Sequence, residues 1–310
     1  MRRSFVAELD ELMGEDRRVV LLTADLGYSV LEPLGVNHPG RVINVGAAEQ
    51  NMMGVAAGLA HSGLIPFTYS IATFATLRGY EFVRGGAIVH GLPVRIVGIG
   101  GGFEYGAAGV SHYALEDLGL MRAQPGMTVI APADGAQARA ALRATWDLPG
   151  PVYYRIGKVE LPPLLELAGR FRLGRLEQLL PPANLVMIAS GAAARLALAA
   201  CTRLREAGVE CSLAVAACLA PEPRTDLIAL LSQAHAAVTV ETHYRENGLG
   251  SLVAQVIAEE GLGCRLVRAG VDSVPQTYVG SQPYMESVFG LDTTGLMAAV
   301  NRARGVTPSL

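Results

Sequence analysis

One carboxylate near the start of a predicted helix is the first residue whose surroundings point to chemistry. Residues 44–51 read NVGAAEQN, which places Glu49 in the first helical turn, where the helix dipole favours a negative charge. A solvent-exposed glutamate that stabilises the dipole would also satisfy this pattern. The flanking segments 45–48 and 52–58 are too apolar for a solvated helix face, so the sequence indicates a half-buried carboxylate that needs a partner.

A glycine-rich loop supplies further candidates. Residues 98–112 read GIGGGFEYGAAGVSH and follow a predicted buried strand, and loops at the carboxyl ends of parallel strands commonly bind ligands. The loop ends in Ser111 and His112. A histidine here is as compatible with a structural role as with catalysis. Asp25, just past another predicted strand, fits either a ligand contact or a helix cap.

Three large side chains, Phe74, Leu77 and Tyr80, recur at a spacing that puts them on roughly one helical face. Core packing is the usual reason for such spacing. The wall of a ligand pocket is the alternative, and local sequence does not decide between the two.

The elements that must position these residues alternate between short β-rich runs and helical periodicity. Predicted strands lie at 19–23, 41–45, 64–68, 94–99, 128–131 and 152–155, and again at 185–190, 210–215, 237–241 and 265–267. Most of these strands are apolar throughout, as expected when helices cover both faces of a sheet. The predicted fold class is therefore α/β, with two consecutive parallel-sheet α/β sandwich domains.

The domain boundaries follow from a change in composition. Two Pro-Pro pairs, at 162–163 and 181–182, bracket a segment without sustained periodicity. We predict a first domain at 1–156, a linker at 157–183 and a second domain at 184–310.

Composition excludes several function classes. The chain has 310 residues with 25 basic and 28 acidic side chains, and it has no basic tract suited to nucleic acid. Its four cysteines lack the spacing of a zinc site or a disulfide framework, and no apolar run is long enough to span a membrane. A cytoplasmic protein is expected. P-loop, GxSxG and HExxH motifs are absent from the sequence.

Taken in order, several segments resemble the C-terminal portion of transketolase. They are TADL at 23–26, GAAEQNM at 46–52, Thr73-Phe74 with Tyr80, Ser111-His112 followed by EDL, PGMTVIAPAD at 125–134 and PVYYR at 151–155. ETH at 241–243 with NGLGS at 247–251 looks like the motif of that family's C-terminal domain. The resemblance covers nearly the whole chain.

The resemblance implies roles for the candidate residues. The cofactor would be thiamine diphosphate, with Glu49 hydrogen-bonded to N1′ of its aminopyrimidine. Phe74, Leu77 and Tyr80 would wall the pyrimidine, and Asp25 would contact the cofactor near a subunit boundary. His112, with Ser111 beside it, would orient the donor substrate, and Arg155 would bind a sugar phosphate.

The resemblance also implies a partner. In the family, an N-terminal domain holds the diphosphate and its divalent metal, Mg²⁺ or Ca²⁺, through a Gly-Asp-Gly segment, and this sequence contains no Gly-Asp-Gly. No metal ligand is therefore expected in this chain. A separate N-terminal transketolase subunit is expected to complete the site, in an α2β2 heterotetramer.

Two positions depart from the family pattern. Ala108 stands where transketolases carry a loop aspartate, and Gly100 stands near the place of a phosphate-contacting histidine. Such losses change substrate discrimination, so a specialised substrate or reduced activity is indicated. Three alternatives stay open: the β subunit of a 2-oxoacid dehydrogenase E1 component, a relative of deoxyxylulose-phosphate synthase, and a non-catalytic scaffold subunit of the same fold.

Overall fold

The computed structural model describes residues 1–306. Numbered in chain order, its strands are β1 (Val19–Thr23), β2 (Val42–Asn44), β3 (Ile65–Ile71), β4 (Arg95–Ile99), β5 (Thr128–Ile130), β6 (Val152–Ile156), β7 (Glu177–Leu180), β8 (Leu185–Ala189), β9 (Ser212–Val215), β10 (Cys218–Ala220), β11 (Ala236–Tyr244) and β12 (Arg265–Val271). They form two separate sheets.

The α-helices are α1 (Arg2–Glu15), α2 (Glu32–Asn37), α3 (Glu49–His61), α4 (Tyr80–Phe82), α5 (Asp117–Arg122), α6 (Gly135–Thr145), α7 (Ala193–Glu206), α8 (Arg224–Leu231), α9 (Leu249–Glu259), α10 (Gln282–Val288) and α11 (Thr293–Arg304). Two π-helical segments, Phe74–Arg78 and Val83–Ile88, flank α4. Such segments are rare and are frequent at functional sites.

The first sheet has the strand order β10-β5-β6-β4-β3-β1-β2. Strands β1 to β6 are mutually parallel, and β1, β3, β4 and β6 are buried along their whole length. Helices α1 and α6 cover one face, where Phe5, Leu9 and Leu12 are fully buried. The opposite face packs on α3 and α5. Burial from both sides explains why these strands read as apolar runs.

The second sheet has the order β12-β11-β8-β9-β7, with β7 antiparallel at its edge. Helices α7 and α11 cover its outer face. Helices α8 and α9 lie on the inner face and share one apolar core with the first half. The two halves are therefore joined by a continuous hydrophobic core.

The α/β fold class with two mostly parallel sheets is confirmed. Two strands were missed, however. Glu177–Leu180 lies inside the segment 157–183 that was predicted as a linker, and it pairs with β9. Cys218–Ala220 crosses over from the second half of the chain and pairs antiparallel with β5 of the first sheet. The second sheet thus starts before residue 184, and the first sheet draws its edge strand from beyond residue 156.

The helix ends show why the chain folds locally as it does. The Asp134 side chain caps α6 by accepting a hydrogen bond from the Gln137 N–H at 2.8 Å, and it also accepts one from the Leu164 N–H at 2.7 Å. Gly305, at φ 74°, ends α11 in the left-handed conformation that favours glycine. Within residues 1–306, no helix is long and apolar enough to cross a bilayer.

Candidate active site

The predicted site residues of the first half gather at the carboxyl-terminal edge of its sheet. Asp25 follows β1, Glu49 follows β2, Phe74 follows β3, and the glycine-rich loop that ends in His112 follows β4. Since these strands are parallel, their carboxyl ends open on the same side of the sheet. Topology alone therefore brings together residues that are distant in the sequence.

Glu49 is the first residue of α3, and its side chain is buried, with 4% exposed. Its Oε1 accepts a hydrogen bond from the Ser70 hydroxyl at 3.1 Å, and its Oε2 accepts one from the Arg78 guanidinium at 3.3 Å. The start of a helix also favours a negative charge. Glu49 is thus a buried carboxylate with partners, as the apolar flanking sequence indicated.

Arg78 was not identified from the sequence. Its guanidinium carbon lies 3.7 Å from the centre of the Phe74 ring while the same group donates to Glu49. About half of the side chain is exposed. A planar N–H donor therefore lies against an aromatic ring and a buried carboxylate. An aromatic face beside a buried carboxylate suits a planar ring that forms hydrogen bonds.

The other two members of the helical stripe lie in the same region but differ in their surroundings. Leu77 is 45% exposed, so it is available to a ligand or partner instead of filling the core. The Tyr80 hydroxyl donates to the Leu120 carbonyl at 3.4 Å and accepts a short hydrogen bond from the Gln124 amide. Tyr80 is therefore fixed by α5 and the residues that follow it.

His112 is brought to Phe74 by the glycine-rich loop. The centres of the two rings are 5.0 Å apart in an edge-to-face arrangement, and Ser111 Oγ lies 3.0 Å from His112 Nδ1. Tyr105 lies 6.2 Å from the His112 ring and packs on Gly100, where an added Cβ would come within 2.2 Å of the tyrosine ring. Tyr105 thus requires glycine at position 100.

Asp25 lies at the exposed rim, in a left-handed backbone conformation with φ 56°. Hydrogen bonds from the Tyr28 hydroxyl at 2.9 Å and the Asn44 amide at 3.2 Å lower its pKa from the usual aspartate value. The side chain is therefore held as a carboxylate at this rim and is not a helix cap.

Arg155 is not brought to the other candidates. Its side chain is 8% exposed, its Nε lies 3.2 Å from Asp117 Oδ2, and its Nη2 donates to the carbonyls of Ala114 and Thr242 at 2.5 and 2.9 Å. The expected sugar-phosphate contact does not agree with this geometry. Here the guanidinium is part of the junction between the two halves.

The same junction contains the ETH motif of the second half. Glu241 accepts hydrogen bonds from the Leu249 and Gly250 N–H groups, both at 2.7 Å, and burial raises its pKa to about 7. His243 Nε2 accepts one from the Gly119 N–H at 3.2 Å, and burial lowers its pKa to about 4. The motif therefore attaches α5 to the second half.

A cavity of about 920 Å³ also borders this junction, beside Arg122, Arg245 and Arg268. All three guanidinium groups donate to groups of the chain itself, mainly backbone carbonyls. Acidic residues of equal number line the same cavity, namely Glu116, Glu246 and Asp272. The candidate catalytic residues lie instead around Glu49, at the edge of the first sheet. The size of this cavity is therefore not a reason to call it the reactive site.

Comparison with known proteins assigns the family. Residues 1–163 match the family model "Transketolase, pyrimidine binding domain", and residues 174–296 match "Transketolase, C-terminal domain". The chain belongs to the transketolase family.

Its relatives include proteins whose names describe separate subunits. It is 32% identical over 95% of its length to an apulose-4-phosphate transketolase subunit of Phocaeicola vulgatus, of which it covers 94%. It is 34% identical over 97% of its length to a 6-deoxy-6-sulfo-D-fructose transketolase subunit of Clostridium sp., of which it covers 93%. A solved structure titled "Split gene transketolase, inactive beta4 tetramer" superposes with a TM-score of 0.88 at 36% identity, covering 98% of both chains.

Proposed function

We propose that this chain is the C-terminal subunit of a two-component, thiamine-diphosphate-dependent transketolase. It transfers a two-carbon ketol unit from a ketose donor to an aldehyde acceptor. The observation that carries the proposal is the buried Glu49 carboxylate at the carboxyl-terminal edge of the sheet. Arg78 connects it to the Phe74 ring, and His112 lies against that ring.

The residues present fit the pyrimidine half of this cofactor. Glu49 already accepts from a planar N–H donor, the Arg78 guanidinium, which rests on the Phe74 ring. Glu49 would hold the aminopyrimidine through a ring nitrogen, Phe74, Leu77 and Tyr80 would form the wall around the ring, and Arg78 would have to leave Glu49. When bound, the cofactor supplies a nucleophilic carbon and an electron sink. Glu49 would share a proton with that ring nitrogen.

His112 and Asp25 take different parts in this scheme. The His112 ring lies against Phe74 and next to Ser111 Oγ, so it orients the hydroxyl and carbonyl groups of the donor. Asp25 is held as a carboxylate at the rim. There it would contact the cofactor at the boundary with the partner subunit. Arg155 has no substrate role in this proposal because its guanidinium is committed to the junction.

The partner is an N-terminal transketolase subunit that holds the diphosphate and a Mg²⁺ or Ca²⁺ ion, in an α2β2 heterotetramer. Two relatives are named as transketolase subunits, and the similar solved structure is titled an inactive beta4 tetramer of a split gene transketolase. Within residues 1–306, no three His, Cys, Asp or Glu side chains are grouped to hold a metal. The four buried free thiols are compatible with the reducing cytoplasm, where we place the enzyme.

The test is reconstitution with the partner subunit. Thiamine diphosphate binding with Mg²⁺ is measured by calorimetry for the complex and for each subunit alone, and turnover is measured with ketose donors and with 2-oxoacids. We expect binding by the complex only and turnover of ketoses. Glu49→Gln lowers kcat by roughly 10²–10⁴. Glu81→Gln, at an exposed position in the same region, is the matched control and keeps full activity.

Each alternative predicts a different result. Turnover of 2-oxoacids with acyl transfer to a lipoyl group indicates the β subunit of a 2-oxoacid dehydrogenase. An assembled wild-type complex that binds no thiamine diphosphate refutes the catalytic proposal and indicates a scaffold subunit.

A further inference from the structure

A small cavity lies where the carboxyl-terminal edges of the two sheets meet. The first half lines it with Gly101 and Glu104 of the glycine-rich loop and with Arg155, and the second half with Ser190 and the start of α7. Its volume is about 20 Å³, which admits about one water-sized species. A sugar or a phosphate does not fit.

The second half presents hydrogen-bond donors to this cavity. Ser190 is 3% exposed, and its hydroxyl has no hydrogen-bond partner in the part of the chain that the structure describes. Helix α7 has 14 residues and no side-chain cap. The N–H groups of Ala192 and Ala193 at its start reach no acceptor within residues 1–306. These groups and the helix dipole favour a negative charge at this end of α7.

The first half adds a positive charge and an acid. Arg155 lines the cavity. Its Nε lies 3.2 Å from Asp117 Oδ2, but the two atoms are not aligned for a hydrogen bond. Within residues 1–306 the Nε–H group of Arg155 therefore has no hydrogen-bond acceptor. Burial raises the pKa of Glu104 to about 7, and one of its oxygens accepts from the Lys158 N–H. A carboxyl group with this pKa is readily neutral, and it then donates a hydrogen bond as well.

The balance of donors and acceptors selects the occupant. Glu104 and Gln282 also line the cavity and supply acceptor oxygens, so the two protons of a water can be paired. One water, however, accepts from at most two of the four donors, which are the Ser190 hydroxyl, the Ala192 and Ala193 N–H groups and Arg155 Nε. A small anion only accepts, and it gains from Arg155 and from the helix terminus. A cation is repelled by both.

We propose that this cavity binds one small monovalent anion of the size of chloride. The anion attaches α7 of the second half to the base of the glycine-rich loop that carries His112. The binding itself does not depend on the proposed transketolase activity, so either proposal can fail without the other.

Bromide is the probe for the first test. Crystals of the chain are soaked in sodium bromide, and data are collected at the bromine absorption edge. We expect an anomalous peak in the cavity, in contact with Ser190 Oγ and the first N–H groups of α7. A refined water there, with bromide peaks only at the surface, overturns the proposal.

Solution stability is the second test. We expect Tm to rise with potassium chloride above its value in potassium gluconate at equal ionic strength. Ser190→Ala weakens the apparent chloride affinity by at least about tenfold, because a hydrogen bond to a charged group is lost. Ser212→Ala removes another buried hydroxyl of the same sheet, one that already donates to Leu185, and keeps the wild-type chloride response. Equal Tm in both salts for the wild type also refutes the proposal.

Discussion

Protonation of His243 should weaken the junction between the two halves by a calculable amount. Its ring accepts from the Gly119 N–H through Nε2, and its Nδ1 lies 2.7 Å from the Tyr244 carbonyl, so the neutral form is fully hydrogen-bonded. Burial lowers the folded-state pKa from 6.5 to about 4. A second proton would remove the acceptor that binds α5.

The sign and size follow from linkage. Between pH 6.5 and 4 the unfolded histidine binds a proton and the folded one does not, so this residue makes the protein less stable as the pH falls. Each pKa unit corresponds to about 1.36 kcal/mol, which gives a loss of about 3 kcal/mol across this window. Above pH 6.5 both states are neutral and the contribution vanishes.

The assay is urea unfolding followed by circular dichroism at stepped pH values from 7 to 4. The raised pKa values of Glu104 and Glu241 make the protein more stable as the pH falls, which opposes the effect of His243. Both glutamates are present in all variants, so the difference between variants reports on His243. His243→Gln keeps a neutral acceptor and donor, and its stability should fall less on acidification by about 3 kcal/mol. His235→Gln, at an exposed histidine, is the control. Parallel curves for wild type and His243→Gln would refute the reasoning.

Two further substitutions test the packing that supports the site. Asp134→Ala removes a helix cap that also binds the Leu164 N–H, and urea unfolding should show a loss of about 2 kcal/mol, against about 1 kcal/mol for the single-bond cap in Asp292→Ala. Equal losses would contradict this account. Gly119→Ala brings a Cβ within 2.8 Å of Asn247 Cβ, so α5 must shift. Calorimetry with the partner subunit should then show weaker thiamine diphosphate binding, and unchanged binding would contradict this.

The sequence predicts well where apolar character and spacing carry the information. The burial of Glu49 followed from its apolar neighbours, and most strands were located to within a few residues because burial on both faces leaves uniform apolar runs. Strands β7 and β10 were missed because three or four residues at a sheet edge carry too little pattern to be distinguished from a loop.

The side-chain contacts of arginines were beyond sequence reasoning. Arg155 lies near the end of β6, a position that suits a sugar-phosphate contact as well as a structural role. Its long side chain contacts Asp117 and carbonyls of both halves, and only tertiary packing decides this direction. Arg78, which donates to Glu49, is the last residue of a π-helical segment, and no local signal in the sequence marks that segment. Long charged side chains have many rotamers, and remote partners select among them.

The crossing strand Cys218–Ala220 makes the two halves unsuitable as interchangeable modules. A fragment that stopped near residue 163 would contain the Glu49 pocket, yet β5 would become an edge with unsatisfied backbone groups, open to pairing with other molecules. Splitting the chain at the Pro-Pro segments would therefore expose this edge and favour aggregation. Engineering of this protein has to keep both halves on one polypeptide.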